Sequence, residues 1–131
     1  MSEAKSKNKK AVAACSGMSP YGLVARVAVA DTVKESDNVI SICMGATAAD
    51  REGFRGLIKK YPIVAINGCD GACVNKILKQ KGVEPVKTLD AIDILNEAGL
   101  KPTDVCRLDD EGEKSVEAVK KSIKKTLKSL D

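Results

Sequence analysis

Five cysteines and no histidine set the chemistry open to this 131-residue chain. Without imidazole there is no Ser-His-Asp or Cys-His nucleophile pair and no side chain that titrates naturally near neutral pH. A zinc site with nitrogen ligands is excluded as well, so any transition-metal chemistry must lean on thiolates. Four thiolates suit zinc, tetrahedral with Zn–S near ~2.3 Å, or a four-iron cluster. Cys69 and Cys73 have three residues between them, within the spacing zinc sites use. The same residues also allow thiol chemistry, with Cys15 as nucleophile and Cys43, Cys69 or Cys73 resolving it. A phosphatase-like or arsenate-reductase-like loop would need an arginine six residues after Cys15 to hold an oxyanion. Position 21 is Tyr21, and the first arginine is Arg26, so that chemistry finds no support.

The elements that must position these thiols can be read from short apolar runs alternating with helix-patterned segments. Ala11 to Ala14, Asn38 to Ile42, Ile63 to Ile66 and Val86 to Leu89 read as strands. Ser19 as cap and Pro20 at the first helical position open a helix through about Lys34. Further helices are expected over about Ala48 to Lys60, Gly71 to Lys81, Ala91 to Ala98 and Gly112 to Leu130. The last carries Val116, Val119, Ile123, Leu127 and Leu130 at spacings of three and four, with lysines on its solvent side. Thr103 to Leu108 reads as a fifth strand or a loop. This alternation argues a single α/β layered domain of Rossmann-like or flavodoxin-like type, with a mainly parallel sheet of about four strands flanked by helices.

On that map Cys15, Cys43 and Cys69 each follow the carboxyl end of a strand, and Cys73 falls in the first turn of the next helix. Open parallel sheets bind ligands at that edge. Core cysteines would instead be scattered through strand and helix interiors. Cys15, Cys43, Cys69 and Cys73 are therefore the candidate metal ligands, and Cys106 is the outlier. The helix starts beyond the cysteines would offset thiolate charge with N–H donors, and Gly17, Gly45, Gly68 and Gly71 would let backbone approach sulfur. No catalytic residue is assigned, and the reading leans away from an enzyme. A site filled by four thiolates has no open position for water activation, which favours a structural, sensing, storage or delivery role.

The composition narrows the partners. One Phe, two Tyr and no Trp leave little for base stacking, so no nucleic-acid partner is indicated. The net charge of +4 comes from the two ends: four lysines against one glutamate over residues 1–10, and six lysines against four acids over 111–131. Residues 1–10 read as a disordered basic tail ahead of one metal-binding domain over 11–131. There is no membrane-spanning stretch and no secretory signal, and the odd cysteine count suits a reducing cytoplasm. No Gly-rich dinucleotide fingerprint follows the first strand.

The chain resembles the DGC-domain family, small proteins whose four shared cysteines are read as zinc ligands. The matching pieces are Cys15-Ser16-Gly17 with Ser19 and Gly22, Cys43 after the second apolar run, and Ile66-Asn67-Gly68-Cys69 with Cys73. They cover roughly residues 11–90. The resemblance implies metal ligation by Cys15, Cys43, Cys69 and Cys73 and no defined reaction. The family is named for Asp-Gly-Cys. Here Asn67 stands in the first position, which removes a carboxylate beside the site, and Asp70 is the nearest replacement.

Overall fold

The computed structural model describes residues 9–15 and 17–131. Most of the expected basic tail, residues 1–8, lies outside them. Four parallel strands, β1 (Lys10–Ala14), β2 (Val39–Ile42), β3 (Ile63–Asn67) and β4 (Lys87–Asp90), form one sheet in the order β2-β1-β3-β4. Six helices flank it: α1 (Pro20–Glu35), α2 (Met44–Ala48), α3 (Glu52–Lys60), α4 (Cys73–Gln80), α5 (Ala91–Ala98) and α6 (Asp110–Ser129).

The strands are short and apolar on both faces because both faces are covered. Val12, Ala14, Val64 and Ile66 point into a core shared with α1, α5 and α6. Ala11, Ala13, Ile63 and Ala65 point the other way, against Ile58 of α3 and Val74 and Leu78 of α4. The chain leaves β1 for β2 across the first face, then returns over the second face to β3 and on to β4. Opposite directions on opposite faces give all three crossovers one hand, as the twist of parallel strands requires. Loops after β1 and β3 therefore part in opposite directions, and a crevice opens between them.

α1 begins where Ser19 and Pro20 predict, with the Gly22 amide donating to Ser19 Oγ at 2.9 Å. It lies between the sheet and α6. Lys120 of α6 reaches Glu35 of α1 at 3.1 Å, Asp31 of α1 at 3.5 Å and Glu117 at 3.0 Å, while Lys124 meets Glu35 at 2.5 Å. The Glu117 and Glu35 carboxylates raise the Lys120 ammonium above the usual lysine range despite its burial. Hydrogen bonds from Lys124 and Lys120 hold Glu35 below the usual carboxylate range.

One open reading resolves and one expectation changes. Thr103 to Leu108 is the loop of its two alternatives: Asp104 Oδ1 accepts from the Cys106 amide at 2.8 Å and the Arg107 amide at 3.2 Å, and this local turn uses backbone donors a ladder would need. The helix expected over Ala48 to Lys60 begins only at Glu52, because the chain breaks at Asp50, which takes a left-handed conformation with φ 60°, and a separate helix not expected from the sequence, α2, occupies Met44–Ala48.

Candidate thiol site at the sheet edge

The register between strands sets the height of each thiol. Ala13 pairs with Ile42 and Ala14 with Ile66, so Cys43 stands level with Ala14 and Asn67 level with Cys15. Cys43 is thus one residue lower than Cys15, about 3.3 Å along the strand axis, while Cys69 lies past the end of β3 in a bend.

One residue of offset also reverses the side-chain direction. Cys15 shares the parity of Ala11 and Ala13 and packs against the α3–α4 side. It lines a cavity of about 260 Å³ with Met44, Gly45, Cys73 and Ile77. Cys43 follows Ile42, which belongs to that same side, and so turns away. It lines a second cavity, with Arg26 and Val29 of α1. Cys69 and Cys73 are linked through Gly71, since both sulfurs lie 3.6 Å from where a Cβ on Gly71 would sit. The structure therefore pairs Cys73 with Cys15 on one cavity and with Cys69 around Gly71, while Cys43 lines a different cavity. Cys106 lies exposed in the α5–α6 connection.

Backbone donors meet two sulfurs. The Gly17 amide donates to Cys15 Sγ at 3.3 Å. The Ala46 amide donates to Cys43 Sγ at 3.4 Å, so this thiol caps α2. Such donors offset the negative charge a metal-bound thiolate would carry. In kind and number, four soft thiols fit a thiophilic ion such as zinc. They are not drawn to one point: among the described residues, no three Cys, Asp or Glu side chains are close enough to hold a metal ion.

Two positioning features escaped the sequence. The N-cap of α4 is Ala72, which is left-handed (φ 54°) and offers no side-chain cap. That conformation costs an alanine about 1–2 kcal/mol. The missing cap is supplied from the sheet: Asn67, 1% exposed, accepts the Val74 amide on Oδ1 at 3.0 Å. Its Nδ2 donates to Asn75 Oδ1 at 2.6 Å and Asp90 Oδ1 at 3.1 Å. Asn67 thereby ties the ends of β3 and β4 to the start of α4 and anchors both sides of the Cys69–Cys73 loop, while Asp70 lies exposed outside this network.

The second feature is glycine packing where the loops part. A Cβ on Gly68 would fall 2.6 Å from the Gly22 nitrogen, and one on Gly22 would fall 2.6 Å from the Gly17 carbonyl oxygen. Gly68 was expected to make room for sulfur. It makes room for the α1 backbone instead, and so sets how closely the Cys15 and Cys69 loops approach.

These features define a doubly wound α/β domain whose thiols gather around the crevice of its switch point. The chain belongs to the DGC-domain family, whose model, described as DGC domain, matches residues 11–126. The match extends the resemblance seen over residues 11–90 through most of α6. Comparisons with curated proteins and with solved structures gave no match. Among the described residues, no helix is long and apolar enough to cross a membrane.

Proposed function

We propose that this protein binds zinc through Cys15, Cys43, Cys69 and Cys73, in a structural, sensing, storage or delivery role rather than as a hydrolase. The observation that carries the reading is the placement of thiols after three adjacent parallel strands, at the edge where open α/β sheets take their ligands. With no histidine in the chain, the soft donors are sulfurs alone. Cys15, Cys43, Cys69 and Cys73 would hold the ion, and because their sulfurs are not gathered at one point here, binding would be coupled to rearrangement of the loops that carry them.

The test is metal analysis with an absorption spectrum of protein purified without air. About one zinc per chain, colourless, is expected. Serine at any of the four positions removes the metal, whereas Cys106→Ser keeps it. Full zinc retention in Cys43→Ser would falsify the four-ligand site in favour of three ligands and an open position. Iron with a broad band near 400 nm would replace zinc by a cluster and make electron transfer the function. A dithiol reading also has an observation behind it, the approach of Cys69 and Cys73 around Gly71. Metal-free protein with a reversible Cys69–Cys73 disulfide would establish it instead.

A further inference from the structure

The cavity that Cys43 lines carries a ligand chemistry of its own. It measures about 330 Å³ and opens at the carboxyl ends of β1 and β2, on the edge where this sheet class binds small molecules. Its walls divide by character. Val29, Ile42, Met44 and Phe54 are apolar, while Arg26, Ser41 and Cys43 bring the polar groups. Among the described residues, no carboxylate lines it.

Arg26 stands out in this setting. It is exposed on α1, and among the described residues it has no carboxylate partner, although its helix neighbours Asp31 and Glu35 are both engaged by Lys120. A second guanidinium, Arg51, stacks over the Phe54 ring at 5.9 Å and adds positive potential at the rim. A free guanidinium presents a planar fork that pairs with two carboxylate oxygens, and the apolar wall suits a carbon body more than an inorganic ion.

We propose that this cavity is a binding site for a small organic monocarboxylate, with Arg26 holding the carboxylate and Phe54, Met44 and Val29 enclosing the apolar part. Its anchor, Arg26, is not among the proposed zinc ligands, while Cys15 and Cys73 line a separate cavity and Cys43 is the one residue the two readings share.

The test is titration of the full-length chain with benzoate at constant ionic strength, followed by nitrogen–proton NMR, with neutral benzamide as the matched probe. Saturable shifts at the Arg26 side-chain Nε–H and the Ile42–Gly45 amides are expected for benzoate and not for benzamide. Arg26→Gln weakens benzoate at least about tenfold, as loss of a charge-assisted pair requires. Arg26→Lys, which keeps the charge and loses the fork, falls between. The proposal is overturned if benzamide shifts the same amides to the same degree, if Arg26→Gln binds benzoate as the parent does, or if no saturable shift occurs. Spectra unchanged beyond the cavity certify that the variants are folded, and metal content measured alongside keeps this outcome separate from that of the zinc reading.

Discussion

Replacing Gly68 by alanine tests whether glycine packing holds the thiol loops at their present separation. The added Cβ would lie 2.6 Å from Gly22 N, 2.7 Å from Gly22 Cα and 2.9 Å from the Tyr21 carbonyl carbon. All three are backbone atoms of the first turn of α1, so no side-chain rotation relieves the clash. The two segments must separate by on the order of 1 Å to restore ordinary contact. Overpacking of this kind costs about 1–3 kcal/mol, and rigid backbone on both sides places it at the upper end. The reduced freedom of the unfolded chain returns about 0.4–1 kcal/mol, leaving a net loss of about 2 kcal/mol. At about 2.1 cal/mol/K of unfolding entropy per residue, a chain of this length should melt roughly 7 °C lower. Thermal unfolding followed by circular dichroism reads this directly. Gly56→Ala is the control: this position lies exposed within α3 with nothing within 4 Å of the added carbon. It should raise the melting temperature by about 2–3 °C through helix propensity. A Gly68→Ala protein melting within about 2 °C of the parent would refute the close-approach argument.

Asn67→Asp should destabilise the protein by about 2–3 kcal/mol at neutral pH, because it loses the donor to Asp90 and sets two carboxylates side by side. A carboxyl group raised by its neighbour penalises folding above its ordinary range, so the deficit should shrink as pH falls toward that range. Denaturant melts at pH 7 and pH 5 check this, and an equal deficit at both would refute it. Lys120→Met should cost about 0.5–1 kcal/mol, reduced by high salt, since it removes the Lys120 bridges to Asp31 and Glu35, leaving Lys124 on Glu35, while keeping the apolar stem. Glu35, held below the usual carboxylate range, contributes stability at neutral pH that is lost as pH falls through its depressed pKa. Glu35→Gln should accordingly flatten the acid limb of a pH–stability curve.

The α/β class was legible because each strand is a run apolar on both faces and each helix carries its own punctuation. Ser19-Pro20 opens α1, and Gly82 and Gly99, both at φ 73°, follow the ends of α4 and α5. The boundaries that moved did so for local reasons invisible to periodicity. A cysteine caps α2, a position more usual for serine or aspartate, and Asp50 turns left-handed where the pattern already runs a helix from Ala48. Strand-end positions of the thiols were legible too. Their directions were not, because these depend on pairing register, and one residue of offset was enough to send Cys43 to the side opposite Cys15.

Asn67 shows how a departure from a motif can be resolved by its neighbours. A carboxylate at this position could accept the Val74 amide as the Asn67 oxygen does, but it would have no hydrogen to offer Asp90. The amide presents an acceptor to α4 and donors to Asp90 and Asn75 from a site almost sealed from water, where either unmatched group would be costly. Asn75 extends the chain by donating to Thr88 of β4 at 2.9 Å, and no buried side-chain polar atom is left unpaired among the described residues. Asn67 and Asp90 thus form a matched pair. What the chain loses in negative charge beside the thiols it gains in a fixed anchor for the loop that carries Cys69 and Cys73. The departure from Asp-Gly-Cys thus preserves the presentation of those two thiols, and at the zinc site proposed above its effect would be electrostatic: one fewer anion beside a site that four thiolates would already make negative.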